Sequence, residues 1–169
     1  MNDLGWLVAH EEIRQLAARY AIALDARDLD TLVGLFVDDV RVGRDERGHD
    51  ALRASFTDQL RDLGVTILLV GNHVIDVIDD DHATGIVSCR GEIEMGDRWV
   101  VQAIQYHDTY ERRDGHWRFV RRRHLLFYGA DLLERPIGLA LAHWPASATG
   151  KGELPESLPT WQAFHADPG

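Results

Sequence analysis

Four long segments rich in β-branched and apolar residues fill the second half of the chain and limit the folds that it can adopt. They span residues 65–78, 83–95, 98–112 and 116–128. The dipeptides Gly96-Asp97 and Asp114-Gly115, which separate the last three segments, are strong hairpin signals. Consecutive strands joined by such turns predict an antiparallel meander, and strands of this length normally twist and coil. We therefore expect a curved sheet that wraps into an open cone.

The residues before this meander have helical spacing. Apolar residues recur at the helical period over residues 8–26, Asp28 is placed to cap a second short helix, and Gly64 stops a third. Residues 40–42 are a candidate for a short strand between the second and third helices. Helices followed by a meander predict an α+β fold, here a cone-shaped α+β barrel with three N-terminal helices packed on a curved, mainly antiparallel sheet.

The length of 169 residues predicts a single domain over residues 1–169, with its core over about residues 8–130. Residues 43–49 are polar and contain glycine, so we expect a loop there. Residues 131–169 predict a loop-rich tail, because all five prolines lie in it. The tail also carries Trp144 and Trp161. Because free tails rarely carry two tryptophans, we expect this one to be pinned against the rest of the chain.

Charge and composition exclude several classes of protein. The net charge is −10, from 28 acidic and 18 basic residues, which argues against a nucleic-acid partner. Cys89 is the only cysteine, so an intrachain disulfide and a metal–thiolate cluster are excluded. No basic segment followed by an apolar run begins the chain, and no apolar stretch approaches the ~20 residues of a membrane span. We therefore expect a cytoplasmic protein without a membrane or nucleic-acid partner.

The sequence also lacks the short motifs of metal, phosphate and nucleophile sites. Its nine histidines form neither a His-x-x-x-His nor a His-Glu-x-x-His pattern, and no Cys-x-x-Cys occurs. It contains no glycine-rich phosphate loop and no Gly-x-Ser-x-Gly elbow. These absences disfavour nucleophilic serine chemistry and dinucleotide binding, and we expect neither a metal nor a cofactor.

Alternation along the last two predicted strands places polar residues on a shared face. Ile104, Tyr106 and Asp108 alternate along the third strand, and Arg122 has the same parity as His124 on the fourth. Neither strand has the purely apolar face that an ordinary core would require, so we expect one side to line a partly polar cavity. For Arg122 the alternative is a solvated edge paired to surface acids. For His124 the alternative is a partly buried, hydrogen-bonded histidine.

Asp25 lies where the first helix ends and the chain turns back over the sheet. A carboxylate pushed toward an apolar cavity has a raised pKa unless it is paired, and this is how a small fold obtains a general acid or base. Tyr20 precedes it on the same helix. The alternative for Asp25 is an ordinary solvated acid at a helix end.

Several motifs, taken in their order along the chain, resemble those of the SnoaL-like family. They are Tyr20…Asp25, Gly71-Asn72-His73, Tyr106-x-Asp108-x-Tyr110, Asp114-Gly115-x-Trp117-x-Phe119 and Arg122-x-His124. The resemblance implies the cone-shaped nuclear transport factor two fold and relatives such as scytalone dehydratase, polyketide cyclases and the hexachlorocyclohexane dehydrochlorinase. It further implies that Asp25 supports a proton-abstracting histidine, that Tyr20 assists the leaving group, and that Arg122 belongs to the site.

The histidine that this resemblance implies is missing from its expected position. It would stand four residues before Asn72, where this chain has Leu68. His73 has the opposite strand parity, so we expect it to face away from the cavity unless a bulge re-aims it. We expect His124 to act as the substitute acid–base, with a pKa raised by pairing to an ionised Asp25.

Together these features predict a cofactor-independent lyase or isomerase that carries out a dehydratase-like proton transfer on a small hydrophobic substrate, such as a cyclic one. The expected catalytic residues are Tyr20, Asp25, Arg122 and His124. The expected substrate-binding residues are Phe56, Leu68, Ile104, Tyr106 and Asp108. Two alternatives stay open: a non-catalytic ligand-binding or assembly protein, and the structural small subunit of a ring-hydroxylating oxygenase.

We also expect self-association into a homodimer or homotrimer, because the long strands carry apolar and polar groups on both faces. The outward residues expected at this interface are Val101, Ala103, Gln105 and His107. A small molecule is the only other partner that the sequence predicts.

Overall fold

The computed structural model describes residues 3–133, 138–141, 150–151 and 156–166, and it confirms the predicted α+β class. The elements are α1 (Asp3–Asp25), α2 (Leu29–Gly34), β1 (Arg41–Val42), β2 (Glu46–Arg47), α3 (His49–Arg61), β3 (Thr66–Val77), β4 (His82–Met95), β5 (Arg98–Arg113), β6 (His116–Asp131) and α4 (Pro159–Ala166). Strands β3 to β6 form a four-stranded antiparallel sheet in chain order, and β1 pairs with β2. This is the predicted meander.

The N-terminal helices lie against one face of this sheet. Helix α1 buries residues at helical spacing, and these are Ala9, Ile13, Leu16, Ala17, Tyr20, Ala21 and Ala23. Asp28 caps α2 as predicted, because its side chain accepts a hydrogen bond of 3.1 Å from the backbone N–H of Thr31. The hairpin between β5 and β6 turns at Asp114 and Gly115, both with positive φ, as a two-residue turn of the Asp-Gly type requires.

An aromatic cluster fixes the helices to the sheet beside the cavity. Phe119 of β6 is fully buried, with its ring 5.1 Å from that of Phe36 and 5.4 Å from that of Tyr110. Its backbone N–H donates to the Leu35 carbonyl and its carbonyl accepts from the Val37 N–H. This contact holds the end of α2 against β6, so that Phe36 and Tyr20 share one apolar core.

A bulge in β3 determines on which side of the sheet His73 lies. Val70 pairs with Cys89 and His73 pairs with Val87, so the two residues Gly71 and Asn72 stand opposite one residue of β4. One extra residue inverts the alternation of the rest of the strand. His73 therefore lies on the inner face, through a bulge of the kind named above as the exception to its outward parity.

Three segments differ from the sequence-based expectation. Residues 46–47, expected in a loop, pair with β1 as the short strand β2 because the chain folds back at Gly43 with positive φ. Strand β6 continues to Asp131, into the part expected to be tail. Residues 159–166 of the tail form α4, which sequence patterning missed because its helical stretch is short.

Trp161 of α4 is buried against Val65, Trp99 and Val101, which confirms for this tryptophan that the tail is pinned. Trp144 lies outside the described residues. Since α4 covers Val101, that residue is not free for a second copy of the chain. The homodimer or homotrimer stays a prediction. Among the described residues, no helix is long and apolar enough to cross a membrane.

Candidate active site

A cavity of about 1160 Å³ lies between the helices and the inner face of the sheet. Of the residues expected at the site, those that line it are Tyr20, Phe56, Leu68, Ile104, Tyr106, Arg122 and His124. Asp25 and Asp108 do not line it. Thr66 and Gln102 add polar groups to its wall that the sequence reasoning missed. Most of the expected side chains therefore converge on one cavity, with the two carboxylates behind its wall.

Arg122 is the central charge of this wall. Its guanidinium is almost fully buried, with the central carbon 4.3 Å from the ring centroid of Tyr20, 4.2 Å from that of Tyr106 and 4.5 Å from that of Phe119. Burial alone would lower the pKa of Arg122, but the carboxylate of Asp108 outweighs it and the pKa is raised. The cation therefore stays charged inside an aromatic frame, where cation–π contacts add to its ion pair.

Asp108 forms this ion pair in a side-on geometry. Its Oδ1 accepts from Nε of Arg122 at 3.0 Å and its Oδ2 accepts from Nη2 at 2.9 Å, while the Tyr110 hydroxyl also donates to Oδ2 at 2.9 Å. Asp108, which was expected to bind substrate, thus lies behind the cavity wall instead of on it. Both carboxylate oxygens are hydrogen-bonded to Arg122, one of them also to Tyr110, and the side chain is fully buried away from the cavity.

Three hydrogen-bond donors in the group formed by Arg122 and the two tyrosines beside it are left over. Within the described part of the chain, Nη1 of Arg122 and the hydroxyls of Tyr20 and Tyr106 have no hydrogen-bond partner. The two tyrosine rings lie 6.0 Å apart, and burial raises the pKa of both phenols, so they are protonated donors at neutral pH. The wall thus presents donors that a ligand oxygen can satisfy.

Asp25 lies behind this wall and is fully engaged by β3. Its Oδ1 accepts from the Thr66 hydroxyl at 2.9 Å and its Oδ2 accepts from the backbone N–H of Leu68 at 2.8 Å. Burial raises its pKa to about 6, although both hydrogen bonds and the nearby Arg27 oppose the shift. The expected raised pKa is thus present, but the carboxylate touches the strand and not the cavity. Leu68 sits directly beside it, at the position where the resemblance implies a histidine.

Arg27 completes the surroundings of Asp25, and sequence reasoning missed it. Its Nη1 donates to the Leu24 carbonyl and to the Thr66 hydroxyl, each at 2.8 Å, and its Nη2 donates to the Gly64 carbonyl at 2.5 Å. The Trp161 ring lies 4.7 Å from the guanidinium carbon. Burial lowers the pKa of Arg27 to about 10, against the opposing effect of Asp25. No local motif marks this arginine, because its partners come from three separate segments.

His124 faces the cavity beside Tyr106, with the ring centroids 5.6 Å apart in an edge-on arrangement. Partial burial lowers the pKa of His124, and no carboxylate raises it. The expectation that Asp25 pairs with His124 and raises its pKa is therefore wrong, because Asp25 is held by Thr66 and Leu68. At neutral pH the imidazole of His124 is uncharged and can accept a proton.

The SnoaL-like domain model matches residues 7–123, which is more than half of the chain. The chain belongs to the SnoaL-like family. The matched region contains the cavity wall up to Arg122 and stops just before His124. The comparison with curated proteins gave no match.

Several solved structures share this fold. The hexachlorocyclohexane dehydrochlorinase LinA superposes with a TM-score of 0.70 at 25% identity, covering 84% of this chain and 99% of LinA. A proposed scytalone dehydratase from Novosphingobium aromaticivorans superposes at 0.67 and 24% identity, over 81% and 98% of the two chains. A protein of unknown function from Mycobacterium tuberculosis gives 0.63 at 21% identity, over 95% and 86%. These structures confirm the cone-shaped α+β fold.

Proposed function

We propose that the protein is a cofactor-independent lyase or isomerase that moves a proton on a small hydrophobic substrate held in the cavity. The observation that carries this proposal is the buried Arg122, which is neutralised on one edge by Asp108 and offers Nη1 on the other. Such a fixed donor on a cavity wall favours a substrate oxygen that becomes negative during reaction.

The donors at the wall are suited to bind a carbonyl or hydroxyl oxygen of the substrate. Tyr20 and Tyr106 flank Arg122, so one ligand oxygen can accept from a phenol and from the guanidinium together. Removing a proton next to a carbonyl places negative charge on that oxygen, and these donors stabilise it. Apolar walls formed by Phe56, Leu68 and Ile104 account for a hydrophobic substrate body.

His124 is the proposed proton acceptor. It is the imidazole on the cavity wall, it is uncharged at neutral pH, and it lies next to Tyr106. Asp25 acts indirectly. Its carboxylate accepts from the backbone N–H of Leu68 and so fixes the part of the cavity wall that β3 forms. A positioned acid–base group of this kind contributes roughly 10²–10⁴-fold to the rate.

The comparisons support an elimination reaction. The names of LinA and of the proposed scytalone dehydratase denote the loss of hydrogen chloride and of water from their substrates. Both losses begin with the removal of a proton, the step that a neutral His124 can perform. We propose the same class of reaction for this chain, on a substrate that combines an acidic C–H with a leaving group.

A second candidate function is non-catalytic binding of a small ligand. Leu68 supports it, because an apolar side chain occupies the position where the resemblance implies the proton-abstracting histidine. The third alternative, a structural subunit of an oxygenase, rests on the fold alone.

The test is dehydration of a hydrophobic cyclic β-hydroxyketone, followed by the ultraviolet absorbance of the enone product. We expect His124→Gln to lower turnover by roughly 10²-fold or more, because it removes the base. The matched control is His107→Gln, the same change on a histidine whose ring bonds Gln105 away from the cavity. Equal rates in the two variants would remove His124 from the mechanism. Tight binding of the enone without turnover by the unaltered protein would favour the binding function.

A further inference from the structure

A buried hydrogen-bonded chain leads from Arg122 away from the cavity. Arg122 donates to Asp108, the Tyr110 hydroxyl donates to the same carboxylate at 2.9 Å, and Nε2 of His73 lies 3.1 Å from the Tyr110 oxygen. Tyr110 is fully buried and Asp108 nearly so, while His73 is partly buried. The site described above uses Arg122, but it gives no role to Tyr110 or His73.

The direction of each bond in this chain follows from the number of protons. Tyr110 has one hydroxyl proton, which it donates in the hydrogen bond to Asp108, so its oxygen is the acceptor in the contact with His73. His73 is therefore the tautomer with its proton on Nε2. Burial lowers the pKa of His73 to about 4, and the nearby charges of Arg122 and Arg14 add to this effect. The imidazole is thus a neutral donor at neutral pH.

Two local departures from regular strand structure make room for this chain. The bulge at Gly71 and Asn72 turns His73 to the inner face. On the neighbouring strand, a Cβ added at Gly85 would lie 2.9 Å from the Val74 carbonyl oxygen, 3.1 Å from Cε2 of Tyr110 and 3.2 Å from Nε2 of His73. A side chain at position 85 would therefore displace the pair, which glycine avoids.

The geometry of the ion pair indicates the role of this hydrogen-bonded chain. A guanidinium can meet a carboxylate side-on, through Nε and Nη2, or end-on, through both terminal nitrogens. The side-on pair between Arg122 and Asp108 leaves Nη1 without a protein partner on a residue that lines the cavity, whereas an end-on pair would occupy it. The bond from Tyr110 fixes the carboxylate on the side-on edge.

We propose that Tyr110 and His73 are positioning residues, which hold Asp108 so that Arg122 presents Nη1 to the substrate. The proposal rests on the proposed function in so far as Arg122 binds a substrate oxygen. Removing the Tyr110 hydroxyl frees Asp108 to swing toward the end-on pair. Removing the His73 donor weakens the Tyr110 hydroxyl as a donor, because hydrogen bonds in a chain polarise one another.

The first measurement needs no ligand. Proton exchange of Nε–Hε of Arg122, followed by NMR, reports whether the side-on bond is intact. We expect Tyr110→Phe and His73→Leu to speed this exchange by about tenfold or more, because the bond to Asp108 becomes transient. His73→Gln, whose amide keeps a donor near the Nε2 position, should restore slow exchange, which simple loss of packing would not. Tyr128→Phe, the same deletion on an exposed tyrosine, is the control.

Slow Hε exchange in both Tyr110→Phe and His73→Leu would overturn the proposal. If Tyr110→Phe does not fold, as judged by its thermal transition, His73→Leu decides alone, because it keeps the buried Tyr110 hydroxyl and removes only the donor that strengthens its bond to Asp108.

The second measurement separates positioning from the proposed function. The probes are naphthoate, which carries an anionic oxygen, and the neutral naphthylmethanol, with affinities measured by calorimetry. We expect Tyr110→Phe to weaken naphthoate by about fivefold to tenfold and naphthylmethanol by clearly less, because an anionic oxygen gains more from the charged Nη1 than a neutral hydroxyl does. Equal naphthoate affinity in Arg122→Lys and the unaltered protein would refute Arg122 as the oxygen-binding group. The Hε exchange would still report on Tyr110 and His73.

Discussion

The protein contains two arginines whose guanidinium groups are similarly buried but have different partners. Both guanidinium groups stack on aromatic rings, Arg122 on Tyr106 and Arg27 on Trp161. Arg122 pairs with a carboxylate, and its pKa is raised. Arg27 donates to backbone carbonyls and a hydroxyl, and its pKa is lowered to about 10. The difference lies in the partner, a charge in one case and dipoles in the other.

This comparison separates a functional cation from a structural one. The carboxylate of Asp108 neutralises Arg122 from one side only, which leaves a donor directed into the cavity. Arg27 donates to carbonyls at the end of α1 and in the turn before β3, and its guanidinium stacks on Trp161 of α4. It therefore links these three segments. Its Nε is buried without a hydrogen-bond partner, so burying Arg27 costs free energy that its dipolar partners offset only in part.

The largest effect on stability is expected for Arg122→Met. This change leaves Asp108 as a buried carboxylate without its cation, which costs about 3–5 kcal/mol in the free energy of unfolding. Urea unfolding followed by tryptophan fluorescence measures it.

The double variant Arg122→Met/Asp108→Asn removes both charges and should recover most of that loss. Arg27→Met combined with Asp25→Asn should show a smaller coupling, because these side chains share no direct hydrogen bond and interact through the Thr66 hydroxyl and through their charges at longer range. If the Arg122 double variant is no more stable than the single one, the ion pair does not distinguish the two arginines.

The next largest effect is expected for Asp25, near Arg27, and it concerns how stability depends on pH. The pKa of Asp25 rises from its usual 3.8 to about 6 on folding, so the folded protein binds its proton more tightly than the unfolded chain. Stability is therefore fully present at low pH and falls as the pH rises through this window. Asp25→Asn removes the titration. Relative to the variant, the unaltered protein should lose at most about 3 kcal/mol between these pH values, at about 1.4 kcal/mol per pKa unit.

Urea unfolding of both proteins across this pH range gives the difference directly. Asp28→Asn, a change at the exposed cap of α2, is the control whose difference should not follow the same window. A pH-independent difference for Asp25→Asn would mean that the carboxylate is not desolvated in the folded state.

The inward side of Tyr106 on β5 and the shared parity of Arg122 and His124 on β6 could be predicted from sequence, and all three residues line the cavity. The pairing of β5 with β6 could not be predicted, because its register shifts twice, between Ala103 and Ile104 and between Thr109 and Tyr110. The position of His73 could not be fixed, because a single extra residue reverses its side. Gly71 was the sequence feature that could have indicated the bulge, since a glycine inside a strand often marks one.

The two carboxylates show a different limit of sequence reasoning. That Asp25 ends α1 follows from the helical pattern, but its partners Thr66 and Leu68 are distant in sequence. Asp108 has the inward parity that was predicted, yet Arg122 occupies both of its oxygens. Parity gives the side of a sheet on which a group lies, and only the packed structure gives its partner.

A smaller effect is expected for Arg27→Met, about 2 kcal/mol in the free energy of unfolding. The change leaves the Gly64 carbonyl without its donor, while the apolar stem still packs on Trp161. The measurement is urea unfolding, with the exposed Arg19→Met as the matched control. A loss as large as that of Arg122→Met would show that dipolar partners matter as much as a paired carboxylate.

The smallest effect is expected where α4 is tied to the end of α1. The Thr160 hydroxyl donates to the Ala26 carbonyl at 2.8 Å, next to the segment that carries Arg27. Thr160→Val keeps the shape and removes this bond at an exposed site, so we expect a loss of about 0.5–1 kcal/mol. Hydrogen exchange should then show faster opening of α4 alone, with the strands of the sheet unchanged. The control is Thr109→Val, on the exposed face of β5. Equal opening in the two variants would mean that the Trp161 contact with Arg27, without this hydrogen bond, holds the helix.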